Sequence, residues 1–519
     1  MTKVAKQIDT GYQAPRWNEP IIHEIGGPDR RGMIFPHVDS NIKNQQGDID
    51  NLIPDGMRRS APADLPEMTE PDVLHHYLRL SQQSIGMVGI NLFGTCTMKY
   101  NPAVNEELIN QSEVASTHPL QHPDTLQGTL KILYDMSDML SELSGMDRFT
   151  FQPGGGSDAS YTHACVTRNW LASRGELGKR DEIITTIQTH PANPATASVA
   201  GFKIITLPLG PDGYPTLESL KAAVSDRTAA LMVGNPDDMG IYNPYIKEWI
   251  EIVHEAGGLC FYDHANFNGV MGRIRARELG FDACMFMLHK TFGAPKGGLG
   301  QGLGAYGCKE ELVQFLPKPI VTFDGKRYGL DEEVPNSIGK VREFTGGIHI
   351  LVKAYSWIRA MGADGIKEAA DISVLANNYM EKRIMNMRGV TRSHDHLKVR
   401  RMEMTRFSLQ QLYEDTGVTA EDVQARMTDF GIDAFWMSHH PELIPHPFTP
   451  EAGEMYSKEE LDKWMDALEV AVEEAYENPE FVRTAPHNQA VHRIVTEELD
   501  QPDKWATTWR AYKRKFPKN

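Results

Sequence analysis

The chain has 519 residues, of which 40% are hydrophobic and 24% are charged, a composition typical of a globular protein with more than one domain. Its formal net charge of −17 at pH 7 would repel the phosphates of nucleic acid, so we expect no nucleic-acid partner. No apolar run reaches the roughly 18 residues of a membrane-spanning helix, so we expect no membrane partner either.

The N-terminal region, residues 1–85, is rich in proline, glycine and charged residues. It predicts an extended arm that packs on another body rather than an independent domain. The first ten residues lack the apolar segment of a secretory signal. The five cysteines form no C-x-x-C pair, which disfavours both a disulfide scaffold and a zinc site. We therefore expect a cytoplasmic protein with no bound metal.

Residues 86–335 are expected to form a large α/β domain around a mainly parallel sheet, because short apolar runs alternate there with helical periodicity. The clearest unit is an amphipathic helix at Ile246–His254, ended by two glycines and followed by a buried strand at Leu259–Tyr262. Further strands are expected at Ala229–Val233 and Cys284–Leu288. Such alternation is typical of a parallel sheet with helices on its faces.

Residues 336–519 are expected to form a smaller C-terminal α/β domain. A long helical stretch passes through Tyr355 and Met361, and Ser457–Tyr476 predicts a second long helix with acidic residues in its first turns. The tail after Pro479 is polar, and we expect it to be irregular.

Two residues at predicted strand ends indicate a cofactor site. Asp263 follows one predicted strand and Lys290 follows the next, 27 positions later. The carboxyl ends of parallel strands meet at one edge of a sheet, where ligands bind. An amine and a carboxylate there suit pyridoxal 5'-phosphate (PLP): the lysine would hold it as a Schiff base, and the carboxylate would keep the pyridine nitrogen protonated. A surface lysine beside a structural aspartate is the alternative; the neighbouring His289 and the glycines at positions 297, 298 and 300 favour the cofactor site.

A glycine-rich segment at Gln152–Asp158 precedes a helical pattern. Backbone N–H groups at a helix N-terminus form a cradle for anions. The pattern alone is weak, since many strand-to-helix turns are glycine-rich, but a PLP site requires a phosphate cradle. The residues expected to form it are Gly155, Gly156, Ser157 and Asp158.

The histidines include one further candidate for the cofactor site and one group that could suggest a metal site. His190 is a candidate for the aromatic ring that stacks on the pyridine, although outside this context a hydrogen-bonded loop histidine would be the simpler interpretation. His439, His440 and His446 resemble a metal site, but prolines interrupt them and no pair has the i, i+4 spacing of a helix. We expect these three to lie in a solvated loop.

The glycines at 302, 304 and 307 match the dinucleotide fingerprint G-x-G-x-x-G by letter. No clear strand, turn and helix surround them, and no acidic residue follows at the expected distance. We therefore expect no dinucleotide site here.

Taken in order, these segments resemble the second, catalytic-lysine subunit of the glycine cleavage P-protein, in the two-subunit form of that family. The similarity runs over nearly the whole chain. It is carried by Gly27–Gly32, Gly94–Pro102, His118–Gln121, Thr125–Gly128, the glycine cradle, the His190 segment, Tyr262–Asn266, His289–Phe292, Ser337–Arg342 and Thr484–His487.

This resemblance implies a fold type I, aspartate aminotransferase-like PLP enzyme with a large seven-stranded domain and a smaller C-terminal domain. The family is an oxidoreductase of the glycine cleavage system. It decarboxylates glycine and passes the aminomethyl group to the lipoyl arm of a carrier, the H-protein. By position, Lys290 would bear the cofactor, Asp263 would pair with the pyridine nitrogen and His190 would stack. Ser157 and its neighbouring glycines would bind phosphate.

Several residues depart from the family pattern around the site. Lys296 and Leu299 stand in the lysine loop, Gly154 and Gly155 replace two alanines, and Thr345–Gly347 replaces an aromatic residue and a Gly-Asn pair. Two alternatives therefore stay open. One is a divergent relative that performs a different Cα reaction on another amino acid in a biosynthetic pathway, and the other is a non-catalytic scaffold subunit. The retained lysine, aspartate and histidine argue against the scaffold.

The resemblance also bears on partners. The family's two-subunit form places its site beside a first subunit that lacks the lysine. Because this chain is about half as long as a fused P-protein, we expect it to need a second fold type I body, either that first subunit or another copy of itself. The departures at Lys296, Thr345 and Gly347 tilt the expectation toward a homodimer.

Overall fold

The computed structural model of the chain describes residues 8–27, 30, 32, 36–61, 63–84, 90–92, 102–294, 301–439, 441–493 and 499–517. They fall into two compact units. The first includes residues 89–424 and 433–483, and the second includes residues 9–88, 425–432 and 484–519. The boundaries that we predict at 85/86 and 335/336 remain a prediction. Among the described residues, no helix combines the length and apolar character needed to cross a membrane.

The described helices, in chain order, are α1 (Ser40–Gln46), α2 (Glu70–Gln82), α3 (Ala103–Ile109), α4 (Ser112–Ala115), α5 (Gln127–Ser144), α6 (Gly156–Ser173), α7 (Ala192–Val199), α8 (Leu217–Ala223), α9 (Ile246–Glu255), α10 (Ala276–Leu279), α11 (Glu310–Val313), α12 (Ile348–Ile384), α13 (Gln410–Thr416), α14 (Ala420–Thr428), α15 (Lys458–Glu477), α16 (Pro479–Arg483) and α17 (Trp509–Lys515). The described strands are β1 (Asn91–Leu92), β2 (Arg148–Thr150), β3 (Glu182–Thr186), β4 (Lys203–Leu207), β5 (Thr228–Gly234), β6 (Leu259–His264), β7 (Ala283–Met287), β8 (Gly304–Cys308), β9 (Ile320–Phe323), β10 (Tyr328–Asp331), β11 (Thr391–Arg392), β12 (Phe407–Ser408), β13 (Asp433–Phe435) and β14 (Pro447–Phe448).

The first unit is built around a seven-stranded sheet with the order β2-β8-β7-β6-β5-β3-β4. The strands from β7 to β4 in this order run parallel, and β8 is antiparallel to both of its neighbours. β5, β6 and β7 are buried along almost their whole length, as apolar strands are in a sheet covered on both faces. The predicted fold type I architecture with a mainly parallel sheet is confirmed.

Two apolar clusters cover the faces of this sheet. Side chains alternate between the faces along each strand, so Phe261 packs in one cluster and Tyr262 in the other. Helices α5, α9 and α12 contribute to the cluster of Tyr262, while α6 and α7 contribute to that of Phe261. This double cover fixes the strands whose carboxyl ends carry the site.

Most of the predicted elements are present. The helix predicted at Ile246–His254 is α9, and the strand predicted at Leu259 is β6, which extends to His264. Helix α15 begins after Ser457, whose hydroxyl accepts the N–H of Glu460 while the Glu460 carboxylate accepts the N–H of Ser457. The prediction of an irregular tail after Pro479 is wrong in part, because α16 and α17 form there.

The second unit contains the N-terminal arm region, which includes helices α1 and α2. Within it, Nδ1 of the buried His76 in α2 lies 2.7 Å from Oε1 of Glu19, and Arg79 donates to the same carboxylate. The Asp429 carboxylate accepts the backbone N–H groups of His487 and Asn488, each at 2.7 Å. Segments distant in the sequence are thus tied together by buried or half-buried carboxylates.

Candidate active site

The candidate site lies at the carboxyl ends of β6 and β7. Asp263 lies within β6, one residue before its end, and Lys290 lies three residues after β7. Both line a cavity of about 680 Å³. The same cavity is lined by all the other predicted cofactor-site residues, namely Gly155, Gly156, Ser157, Asp158, His190 and His289. The structure brings the eight residues together, and their individual roles remain predictions.

Lys290 is held in a turn rather than in a strand. Its N–H donates to the carbonyl of Met287 at 3.1 Å, and its neighbours Thr291 and Phe292 are buried. A partly exposed lysine between buried neighbours can present its amine to the cavity. The glycines expected after the lysine, and the departures at Lys296 and Leu299, lie outside the described residues.

The Asp263 carboxylate is buried and accepts two hydrogen bonds from the chain. Oδ1 accepts the N–H of Ala265 at 2.9 Å, and Oδ2 accepts Nδ2 of Asn193 at 2.9 Å. Nδ2 of Asn193 also donates to Oγ1 of Thr189, and its Oδ1 accepts the Ser160 hydroxyl at 2.6 Å. Asn193 was not among the residues predicted from the sequence, although it stands three positions after His190 at the start of α7.

The glycine-rich segment forms the N-terminus of α6, as predicted. Gly155 precedes the first helical residue, and Oδ2 of Asp158 accepts the N–H of Gly154 at 2.9 Å. A Cβ on Gly304 would lie 2.7 Å from the carbonyl oxygen of Gly155, so the neighbouring strand approaches the cradle closely. The first N–H groups of an 18-residue helix are therefore directed at the cavity, where they can bind an anion.

His190 follows β3 and lines the cavity. Its Nδ1 accepts the N–H of Ala192 at 3.1 Å, which fixes the ring. The ring of His439 packs edge-on against it, with 4.5 Å between the centroids. The expectation that His439 lies in a solvated loop is therefore wrong, because it packs between His190 and Trp436. Burial lowers the pKa of His439 to about 4, so its ring is neutral at pH 7. His440 lies outside the described residues.

A small recess of about 20 Å³ lies beside Lys290 and is lined by Asp237, Asp238, Gln188 and Asn266, among others. Its volume is close to that of one water molecule. Oδ1 of Asp237 accepts the N–H groups of Met239 and Ile241, each at 2.9 Å. Burial raises the pKa of Asp237 to about 7 despite these bonds. The recess therefore presents acidic groups close to the amine of Lys290.

Arg406 comes from a more distant part of the chain. It is buried, its Nε donates to Oγ1 of Thr449 at 3.0 Å, and its guanidinium lies over the ring of Trp436. Burial lowers its pKa, and the carboxylates of Asp238 and Asp237 oppose that shift. Nη2 has no hydrogen-bond partner among the described residues. No sequence motif identified Arg406, because its approach to the site depends on the tertiary fold. The two aspartates were also missed, although they follow the carboxyl end of β5, where the strand-end argument could have found them.

The glycines at 302, 304 and 307, which match the dinucleotide fingerprint by letter, lie beside or within a strand. Gly304 and Gly307 lie in strand β8, which runs antiparallel to β2 and β7. A Cβ on Gly307 would overlap the ring of Phe149, so this glycine is required for packing. The three glycines therefore do not form the strand-to-helix turn of a dinucleotide site.

The fold and the cavity are those of a recognised class of proteins. The sequence model of the family described as "Aminotransferase class-V" matches residues 155–433, more than half of the 519 residues. The cradle, His190, Asp263 and Lys290 all lie inside the matched region. The chain thus belongs to the class-V aminotransferases.

Closer relatives narrow this class. The chain is 42% identical over 505 residues to "Probable glycine dehydrogenase (decarboxylating) subunit 2" of Pyrococcus horikoshii, covering 97% of this chain and 98% of the relative. It is 38% identical over 476 residues to the protein of the same name from Caldanaerobacter subterraneus, covering 91% and 96%. Within that class, the chain is a member of the glycine dehydrogenase (decarboxylating) subunit 2 family, which confirms the resemblance seen in the sequence.

Solved structures agree with the fold. A glycine decarboxylase (P-protein) of the glycine cleavage system, crystallised in inhibitor-bound form, superposes with a TM-score of 0.70 at 20% identity and covers 85% of this chain and 100% of its own. A NifS-like protein gives a TM-score of 0.56 at 16% identity, covering 75% and 99%. At these identities the likeness extends to the fold alone.

Proposed function

We propose that this chain is a PLP-dependent subunit that decarboxylates glycine and passes the aminomethyl group to the lipoyl arm of an H-protein. One observation carries the proposal: a single cavity gathers Lys290, Asp263, His190 and the α6 cradle. Its relatives at up to 42% identity are named glycine dehydrogenase (decarboxylating) subunit 2. Geometry and family therefore favour the same reaction.

The residues around the cavity fit PLP. An amine at Lys290, a carboxylate at Asp263, an aromatic ring at His190 and the N–H groups of the α6 N-terminus match the cofactor's aldehyde, ring nitrogen, ring face and phosphate. Oδ1 of Asn266 is buried with no hydrogen-bond partner among the described residues, so it can accept a bond from a ligand. When bound, PLP supplies an electron sink for the Cα of an amino acid.

The chain's own residues would prepare the site for this chemistry. The hydrogen bonds from Asn193 and Ala265 fix the position of the Asp263 carboxylate. Its remaining lone pairs could then accept a hydrogen bond from a protonated ring nitrogen. Lys290 would anchor the cofactor through Nζ and exchange with the amine of the substrate. His439, neutral at pH 7, would support the ring of His190 without adding positive charge.

A second candidate function is a different Cα reaction on another amino acid, in a biosynthetic pathway. The observation that favours it is the pair of aspartates, Asp237 and Asp238, that line the recess beside Lys290. Their carboxyls suit a substrate with a hydrogen-bond donor or a cationic group, which glycine lacks beyond its amine. The gathered site residues argue against the remaining alternative, a non-catalytic scaffold subunit.

The partners proposed are a small amino acid, a lipoyl H-protein, and either a first P-protein subunit or a second copy of this chain. Exposed apolar side chains of the second unit support a protein partner; Val38, Met57 and Leu65 are 67%, 75% and 68% exposed. A cytoplasmic location is part of the proposal. It is supported by the four described cysteines, which are free thiols, as is typical of a reducing compartment.

Release of labelled CO2 from carboxyl-labelled glycine tests this function directly. The assay would combine the purified chain, PLP and an H-protein, with and without the first subunit. We expect release that Lys290→Ala abolishes and that Lys203→Ala, which alters an exposed lysine of β4, leaves unchanged. Release from another amino acid but not from glycine would overturn glycine as the substrate. A chain that binds PLP and converts another amino acid at Cα without releasing CO2 would establish the second candidate.

A further inference from the structure

Arg342 lies beside the glycine cradle on a segment that is fixed to it. The N–H of Val341 donates to Oε1 of Gln152 at 3.1 Å, and Nε2 of Gln152 donates to the carbonyl of Lys318 at 2.9 Å. The Ser337 hydroxyl donates to the carbonyl of Leu316 at 2.6 Å. Because Gln152 also opens the cradle segment, one buried side chain sets the distance between Arg342 and the cradle.

The guanidinium of Arg342 lies over the start of the cradle and lines the cofactor cavity. A Cβ on Gly154 would overlap its Nη1 atom, so the position of this side chain depends on the glycine. The glycine at position 154 therefore makes room for a cation above the N-terminus of α6.

Among the residues that the structure describes, no close hydrogen bond or ion pair occupies the guanidinium of Arg342. The nearest carboxylate, Oδ2 of Asp158, is 3.9 Å from Nη1, and the two side chains are 49% and 40% exposed. An ion pair at this distance and exposure contributes little. Oδ2 of Asp158 also accepts the N–H of Gly154. The planar guanidinium thus keeps donors that can bind a phosphate.

A phosphate monoester carries close to two negative charges at neutral pH, and helix N–H groups supply only partial positive charge. Among the described residues that line this cavity, the lysine and arginine cations are Lys290 and Arg342. The proposed function commits Lys290 to the aldehyde of the cofactor. Of these two described side chains, Arg342 is then the one whose full positive charge is left for the phosphate.

We propose that Arg342 binds the phosphate of PLP, and that Gly154 is the residue that allows it to reach. This inference rests on the proposed function, because it assumes that PLP occupies the cavity. It adds a phosphate ligand that lies almost 190 positions after the cradle in the sequence.

The test compares PLP with pyridoxal, which has the same ring and aldehyde but no phosphate. Dissociation constants would be measured by absorbance titration for the full-length chain and for Arg342→Gln. We expect the variant to lose roughly 10- to 100-fold in affinity for PLP, the range of a hydrogen bond to a charged group, and to bind pyridoxal as the unmodified chain does. Lys340→Gln is the matched control, since it removes one exposed charge two positions away.

Two further variants connect the affinity to the geometry. Arg342→Lys should recover part of the affinity, because it keeps the charge but loses the planar pair of donors. Gly154→Ala should displace the flexible guanidinium and weaken PLP binding, with little further loss when it is combined with Arg342→Gln. Thermal unfolding of each variant would confirm that the fold is retained.

The outcomes distinguish a failure of the proposed role of Arg342 from a failure of the proposed cofactor. A loss restricted to PLP supports the inference. Equal losses for PLP and pyridoxal, or no loss for Arg342→Gln, would reject Arg342 as a phosphate ligand while leaving PLP binding intact. If the unmodified chain binds neither compound, the proposed cofactor itself is wrong, which is a different result from a failure of Arg342 alone.

Discussion

Asn193 donates a hydrogen bond of 2.9 Å from Nδ2 to Oδ2 of Asp263, and Oδ1 of the same Asn193 accepts a hydrogen bond from the Ser160 hydroxyl. Ser160 lies in α6, whose N-terminus is the proposed phosphate cradle, and Asn193 is the second residue of α7, the helix after His190. One buried amide thus connects the three elements that would hold the phosphate, the face and the nitrogen of the cofactor ring.

Asn193→Ala should loosen this connection. The substitution leaves the Ser160 hydroxyl without its acceptor and Asp263 without one of its two donors, which costs about 1–3 kcal/mol for a buried polar group. We expect weaker PLP binding and a changed pH dependence of the visible absorbance of the bound cofactor. Asn377→Ala is the matched control, because Asn377 is equally buried and donates from Nδ2 to Met402 and Thr405, away from the cavity. Equal effects of the two variants would reduce Asn193 to a structural residue.

Asp263→Asn should bind PLP but slow the chemistry at Cα. An amide has one oxygen and one NH₂ group, so it cannot accept from both Ala265 and Asn193, and it cannot hold a proton on the pyridine nitrogen. A loss of a few kcal/mol of stabilisation corresponds to roughly 10²- to 10³-fold in rate. Single-turnover kinetics with glycine would measure it. A near-normal rate would mean that another group protonates the ring.

The sequence could predict Asp263 and Lys290 because each belongs to a local pattern, an apolar strand followed by a polar residue, and the parallel sheet brings strand ends together. Asn193 carries a weaker local signal. Arg406 and His439 could not be predicted, since they approach the site only when β12 and the loop after β13 pack in the fold. Asp237 stands three residues after β5, so the strand-end argument could have found it. The helices of the tail were missed for a different reason: α17 is short, and its cap at Thr508 precedes a largely polar segment.

Asp237 and Glu403 should make the protein less stable as the pH rises from about 5 to 8. Burial raises the pKa of Asp237 to about 7 and that of Glu403 to about 8, so the folded state holds protons that the unfolded state has already lost. Between its pKa in the unfolded state and its pKa in the folded state, each group lowers the free energy of unfolding by about 1.4 kcal/mol per pH unit. Above the pKa in the folded state, this effect levels off.

Urea midpoints between pH 5 and 9 would measure this slope. Asp237→Asn should remove part of it up to about pH 7, because an amide oxygen can still accept from Met239 and Ile241. Glu403→Gln should remove the part that extends to about pH 8. A slope that is the same in both variants as in the unmodified chain would show that the two carboxyls are ionised in the folded protein.

Helix α2 should form part of a subunit interface. Leu74, Tyr77 and Leu78 stand at i, i+3 and i+4 on this helix, and they are 56%, 54% and 49% exposed. An apolar stripe of this kind on a helix held in place by Glu19, His76 and Arg79 suits contact with another protein. Leu74→Glu and Leu78→Glu should leave the free energy of unfolding, measured by urea denaturation, within about 0.5 kcal/mol of that of the unmodified chain, as is usual for exposed positions.

Light scattering of the chain alone, and of the chain mixed with a first P-protein subunit, would measure assembly. We expect the two α2 variants to dissociate whichever oligomer the unmodified chain forms. Leu375→Glu is the control, because Leu375 is 70% exposed on α12. A homodimer that both α2 variants preserve would show that the interface lies on another surface. Variants that fail to bind the first subunit, in a chain that is otherwise monomeric, would establish the heteromeric form and exclude the homodimer.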